Sequence, residues 1–198
     1  MIAVLDYGMG NLHSVLRAVQ KVGGKAEVTD DFDAAAKAAA VIVPGVGAFG
    51  ACMAALSASG FIPLIRDLAA ADRPVFGVCL GLQVFFEGSD EDPDEGIGVL
   101  PGRVLRLPDT VKVPHMGWNE VTFDLAHPYT KHLSDGERFY FVHSFAAEVS
   151  ESTVARTDYG GEFSAIVARG SVFATQFHPE KSSDAGLSIY EAFVKEVA

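Results

Sequence analysis

From Ile2 to Gly88 the chain alternates short β-rich runs with helical patterns, and this alternation restricts the fold more than any other feature. "IAVLDY" (2–7), "KAEVTD" (25–30), "AVIVPG" (40–45) and "PVFGVC" (74–79) read as strands. "LHSVLRAVQKVG" follows the first; its Leu12, Val15, Leu16, Val19 and Val22 fall on one helical face. Asn11 stands where a cap is expected, and Gly23 and Gly24 stop the pattern. "DAAAKAA" (33–39), "MAALSASG" (53–60), "FIPLIRDLAAA" (61–71) and "LGLQVFFEG" (80–88) read as further helices. Alternation of this kind predicts an α/β fold: a central, mostly parallel sheet flanked by helices on both faces.

The second half changes character. "GRVLRLP", "VPHMGWNEVTF", "FYFVHSFAAEV", "STVARTDY", "FSAIVARG" and "VFATQFH" are strand-like and closely spaced, which predicts an antiparallel extension of the sheet. "SSDAGLSIYEAFVKEV" closes the chain as an amphipathic helix capped by Ser182 or Ser183. "GSDEDPDEG" (88–96) reads as a solvated connection. No repeat, low-complexity segment or linker interrupts the chain, so a single domain over 1–198 is expected.

Charge narrows the function. The 198 residues carry 15 Lys and Arg against 26 Asp and Glu, a net charge of −11. That balance, without a basic patch, argues against a phosphate-backbone partner. No basic, apolar leader opens the sequence and no apolar run reaches the length of a membrane span, so a cytoplasmic location is expected. Two cysteines, Cys52 and Cys79, make no secreted disulfide framework.

Cys79 stands in "GVCLG" (77–81), where a strand gives way to a helix. A nucleophile held on a sharp strand-to-helix turn needs this context, with glycines relieving crowding on either side. The N-terminus of the new helix would favour the thiolate. The same pattern also suits a buried structural cysteine with glycines for close packing.

A thiol nucleophile needs a base. Among six histidines, His178 in "QFHPEKS" ends a strand, with Glu180 two residues on. In an extended segment those two side chains share a side, with Pro179 stiffening the link and excluding a helical start. Glu180 would orient one ring nitrogen and leave the other for Cys79. No sequence motif competes for a metal, and no cofactor is expected.

"PGVGAFG" (44–50) matches G-x-G-x-x-G after a strand, but the acidic residue at the required spacing, Asp67, lies in a helical pattern. "GMGNLH" fails too, because His13 takes the third glycine's place. The better use of the first loop is as a source of backbone donors. An N–H from Val46–Gly47 and that of Leu80 would form an oxyanion hole for acyl transfer.

Together, "DYGMGN", "PGVGAF", "GVCLGLQ", "PHMGWNE", "YFVHSF" and "QFHPEKS" resemble the class I, triad-type glutamine amidotransferases over nearly the whole chain. "PHMGWN" with "GMGN" and "PGVGAF" is most similar to the family of glutaminase subunits that serve imidazole glycerol phosphate synthases in histidine biosynthesis. The resemblance implies Cys79 as nucleophile, His178 as base then acid, and Glu180 as orienter. It implies that Gln83 and Glu91 hold the amino-acid end of glutamine, and that the backbone at His143, Ser144 and Phe145 clamps its carboxylate. The family commonly has an aromatic hydroxyl where this chain has Phe145. Asn11, Met116, Trp118, Tyr140 and Lys181 match positions facing a (β/α)8-barrel cyclase subunit, in a heterodimer. Ammonia released from glutamine would pass to that subunit without escaping. A glutaminase subunit of another synthase would keep the triad but not "PHMGWN". A non-catalytic binding subunit would need a degenerate triad. A cysteine peptidase on a similar sheet would cleave peptides instead.

Overall fold

A computed structural model describes residues 1–197. The first half runs β1 (Ile2–Leu5), α1 (Leu12–Lys21), β2 (Ala26–Thr29), α2 (Phe32–Lys37), β3 (Ala40–Gly45), α3 (Phe49–Ala58), α4 (Phe61–Ala70), β4 (Val75–Cys79) and α5 (Leu80–Gln83). The second half is strand-rich: β5 (Gly88–Ser89), β6 (Asp92–Glu95), β7 (Arg103–Arg106), β8 (His115–Phe123), β9 (Glu137–His143), β10 (Phe145–Ala147), β11 (Thr153–Asp158), β12 (Glu162–Arg169) and β13 (Val172–Thr175). A 3₁₀ turn at Pro179–Lys181 leads into α6 (Ser183–Val197).

Nine strands form one sheet in the order β2-β1-β3-β4-β13-β12-β11-β8-β9. The pairings from β2 to β13 are parallel and those beyond β13 antiparallel, so β13 is the seam between the two halves. A second sheet is formed by β10-β7-β5-β6.

Side-chain alternation divides the core between the two faces. Ala3, Leu5, Val41 and Val43 pack with Phe49, Leu56, Phe61 and Leu64 of α3 and α4. Ile2, Val4 and Ile42 join the opposite cluster, with Val15 and Val19 of α1 and Ile189, Tyr190 and Phe193 of α6. Strands covered on both faces read as continuous apolar runs, which is why "IAVL" and "AVIV" show no polar alternation. At the seam Phe76 meets Phe173 edge-on at 5.0 Å, directly across the β4–β13 pair.

No single helix among the described residues is long and apolar enough to cross a membrane. The pair α3 and α4 is apolar over sufficient length but bends by 88° and is part of the core.

Several local expectations need correction. Asn11 precedes α1 but makes no side-chain cap; its carbonyl accepts from Ser14 and Val15 N–H. Ser182 does not cap α6 with its hydroxyl, which bonds to the His178 carbonyl and receives the Tyr140 N–H. The helix after Cys79 spans only Leu80–Gln83. It stops because Val84, Phe85 and Phe86 turn their carbonyls to Ile97, Leu100 and Gly98 N–H, tying this segment to the connection between β6 and β7. Within 88–96 the chain forms β5 and β6 rather than a plain loop.

Candidate active site

Cys79 ends β4 with φ +57° and ψ −110°, a conformation that costs an L-residue energy and aims its side chain out of the sheet plane. The flanking glycines make the turn possible. A Cβ at Gly77 would lie 2.6 Å from the Phe85 ring and 2.7 Å from the Gly81 carbonyl oxygen, and one at Gly81 would overlap the Val43 carbonyl oxygen. α5 therefore lies hard against β3 and β4. Because α5 is a single turn, its dipole is far smaller than the long helix expected from the sequence would have provided.

β13 runs parallel to β4, with Thr175 opposite Val78, so the segment just past β13 arrives beside Cys79. His178 is held there by its backbone. Its N–H bonds to the Tyr140 carbonyl at 3.0 Å, and its own carbonyl accepts from Ser182 Oγ at 2.6 Å. Its Nδ1 is 2.8 Å from Glu180 Oε1, and both side chains are almost wholly buried. The extended geometry expected between them does not occur: Pro179 opens a 3₁₀ turn, since its fixed φ suits a first helical position. The turn still brings the carboxylate back to the ring. Burial works against a charged His178, but the neighbouring Cys79 and Glu180 outweigh it and raise its pKa to about 9.

Cys79 and His178 face a cavity of about 270 Å³. Val46, Gly47, Leu80, Gln83, Glu91, His143, Ser144 and Phe145 also line it. Glu180 stands behind His178. Glu91 is already engaged: its Oε2 accepts the Phe49 N–H at 3.0 Å, at the start of α3. Gln83 Nε2 donates to the Phe145 carbonyl at 2.8 Å and to Gln176 Oε1 at 3.1 Å.

Four contributors escaped the sequence reading. Gln176, fully buried, places its Nε2 3.9 Å from Cys79 Sγ. It opens the "QFHPEKS" motif, which was read for His178 and Glu180 alone. Tyr7 bonds through its hydroxyl to the Pro44 carbonyl, at the root of the 45–47 loop. His115 and Asn119 stand behind His143. The motif "PHMGWN" held both, but it was read for its outer face alone.

The residues matched to a partner face differ in exposure. Met116 and Trp118 are 63% and 50% exposed, unusual for large apolar groups. Tyr140 pairs with Trp118 across β8 and β9, their rings 6.2 Å apart. Lys181 is exposed in the 3₁₀ turn beside the buried pair, and Asn11 is half-buried.

Residues 3–197 match the family described as glutamine amidotransferase class-I. A protein of Chromobacterium violaceum named imidazole glycerol phosphate synthase subunit HisH is 45% identical, over 98% of this chain and 96% of that protein. Its namesakes in Moorella thermoacetica and Methanothermobacter thermautotrophicus are each 46% identical, covering 97% and 98% of this chain and 93% and 98% of theirs. The chain belongs to the HisH branch of the class I glutamine amidotransferases. Solved structures agree on the class I fold. One described as a glutamine amidotransferase superposes with a TM-score of 0.77 at 20% identity, over 98% of each chain. A structure of PurLQS from Thermotoga maritima gives 0.77 at 20%, over 100% of this chain and 98% of that one.

Proposed function

We propose that this amidotransferase is the glutaminase subunit of an imidazole glycerol phosphate synthase, with Cys79, His178 and Glu180 as its triad. The observation that carries the reading is the buried His178–Glu180 pair, 2.8 Å apart, facing a strained cysteine across one cavity. One amidotransferase domain spans 1–198. The compartment is the cytoplasm, where the free thiols of Cys52 and Cys79 stay reduced.

In this mechanism His178 takes the thiol proton and Cys79 Sγ attacks the side-chain amide of glutamine. The negative charge that develops on oxygen is met by the N–H of Leu80 and one from Val46–Gly47. His178 then gives its proton to the departing nitrogen, leaving a γ-glutamyl thioester and ammonia. Water loses a proton to His178, attacks the thioester and releases glutamate and the thiol. Glu180 holds Nδ1–H throughout and stabilises the imidazolium between the two transfers.

Gln83 and Glu91 take the amino-acid end of glutamine, and the backbone at 143–145 takes its carboxylate. The partner is a (β/α)8-barrel cyclase subunit, docked over Asn11, Met116, Trp118, Tyr140 and Lys181 in a heterodimer. That subunit consumes the ammonia and forms imidazole glycerol phosphate and an aminoimidazole carboxamide ribotide. The test is ammonia release from glutamine by the chain alone and with a cyclase subunit. Stimulation by the cyclase is expected. No glutamine hydrolysis in either case would overturn the reading, and peptide cleavage would replace it with a peptidase.

A further inference from the structure

Behind the cavity wall, four polar groups form a hydrogen-bonded chain that has only one consistent direction. His143 Nδ1 lies 2.9 Å from the Phe145 carbonyl oxygen, which can only accept, so Nδ1 carries the proton. Burial pushes His143 down to about pKa 3, so the ring is neutral and its Nε2 is a bare acceptor. Facing that atom at 3.0 Å is His115 Nδ1, which therefore carries a proton as well. His115 is also neutral, pushed down by burial to about 4, and its Nε2 accepts from Asn119 Nδ2 at 3.3 Å. Asn119 Nδ2 gives its other hydrogen to the Asp158 carbonyl at 3.0 Å, and Oδ1 accepts the Glu120 N–H at 2.8 Å, which fixes the amide's orientation.

The rings have little freedom to turn. His115 is stacked between Tyr159 at 3.9 Å and Phe141 at 4.9 Å. At the far end, the Phe145 carbonyl receives the Gln83 amide as well. The short break between β9 and β10, where Ser144 and Phe145 line the cavity, is thus held by Gln83 on one side and by this chain on the other.

We infer that His115 and Asn119 are positioning residues for glutamine binding, acting through His143 to set the 143–145 backbone against the cavity. The inference rests on the glutaminase reading above. Its distinguishing feature is polarity: donors run inward from Asn119, and reversing one link reverses the demand on every link after it. In Asn119→Asp the side chain beside His115 Nε2 only accepts. Neutral His115 must then move its proton to Nε2 and present a bare Nδ1 to a bare His143 Nε2. The chain survives only while His115 is doubly protonated. The ionisable groups in ring contact with His115 are His143 from β9 and Tyr159 from the β11–β12 turn; Phe141 and Phe163 are its other aromatic neighbours. The Asp158 carboxylate is occupied by the Gly161 N–H, and His178 bears on His143 by charge alone.

The test uses glutamine hydrolysis by the chain assembled with a cyclase subunit. His115→Phe, which keeps the ring stack and removes the donor, should raise KM for glutamine about fivefold at every pH, with kcat within about twofold. Asn119→Asp should keep a near-normal KM at low pH and lose it as pH rises, a dependence absent from the wild type and from Asn119→Ala. Nitrogen-15 spectra of the wild-type rings should place a single proton on Nδ1 of both His115 and His143. A proton on His143 Nε2 would overturn the inference whatever the variants do. Wild-type KM and pH profile in folded variants would overturn it too. If the wild type hydrolyses no glutamine, the glutaminase reading itself fails; if it does and the variants match it, the positioning role alone fails.

Discussion

Gly45 and Cys79 are register partners at the C-terminal ends of the adjacent parallel strands β3 and β4. The loop proposed to supply an oxyanion donor therefore begins beside the proposed nucleophile. A Cβ on Gly45 would lie 2.7 Å from Gly81 N and 2.8 Å from Leu80 Cβ, both fixed by the turn. Gly45→Ala should lower kcat/KM by on the order of 10²-fold or more through loss of donor alignment. It should also cost about 1–3 kcal/mol of stability through overpacking. Thermal unfolding and steady-state glutaminase assays measure the two separately; wild-type turnover would show that the loop's start need not be so close.

Cys79→Ala should abolish glutamine hydrolysis and leave the fold intact. Cys52 is the internal control: it is fully buried beside Tyr7, and burial pushes its thiol up to about 11. A glutamine-like electrophile should alkylate Cys79 and spare Cys52. Peptide mapping with labelling at Cys52, or residual turnover by Cys79→Ala, would remove the nucleophile assignment.

Glu180→Gln keeps the shape of the buried pair and removes its charge. A loss in kcat on the order of 10²–10⁴ is expected, smaller than for Cys79→Ala or His178→Ala. The His178 titration should move down from about 9, because Glu180 is one of the two neighbours raising it. A group raised in the folded state stabilises fully below its unfolded value of 6.5, and that contribution fades as pH rises towards 9. Glu180→Gln should therefore reduce the stability difference between neutral and alkaline pH in denaturant titrations.

The neutral pair His115 and His143 acts in the opposite direction. Both titrate lower folded than unfolded, so the unfolded chain binds more protons between about 3 and 6.5. Their contribution is complete above 6.5 and is lost as pH falls. His115→Phe should flatten the acid side of the stability profile and, at neutral pH, cost about 1–3 kcal/mol because the buried His143 Nε2 loses its donor. Urea midpoints followed from pH 7 downward will show whether the slope changes.

Control by the partner is the last expectation. Gly45 and Gly47, the latter with φ +102°, let a peptide in the 45–47 loop turn at little conformational cost. One orientation would present a carbonyl to the site, the other an N–H that completes the oxyanion hole. The isolated chain should therefore hydrolyse glutamine slowly, and a cyclase subunit with its nucleotide should raise the rate on the order of 10²–10³-fold. Trp118→Ala, at a half-exposed site, should weaken the stimulation or the association and leave folding unchanged. Full activity without a partner would end the switch but not the triad.

The sheet and the elbow could be read from the residues because both depend on short-range rules. Buried parallel strands show as unbroken apolar runs, and a cysteine between glycines at a strand end marks a turn. What could not be read depends on contacts distant in the chain. The length of α5 is set by bonds from Val84–Phe86 to residues 97–100, which no local pattern shows. Gln176 looks like any strand residue until β13 is laid beside β4. His115 and His143 are 28 residues apart, and only the β8–β9 pairing makes them neighbours. At Glu180 the geometry read from the sequence was wrong but the pairing was right, because one 3₁₀ turn closes the same short gap as an extended strand.

The seam at β13 has a consequence for synthesis of the chain. Cys79, its elbow and the 45–47 loop all lie in the first half, while His178 and Glu180 follow the last strand to be made. A nascent chain that has emerged through β12 carries the thiol without its proposed base and a β4 whose neighbour on one side is missing. Glutamine cannot be cleaved by this mechanism until β13 inserts between β4 and β12, joining the two halves in the step that also delivers the imidazole. With the proposed triad, ammonia production is thereby deferred until the chain is nearly complete.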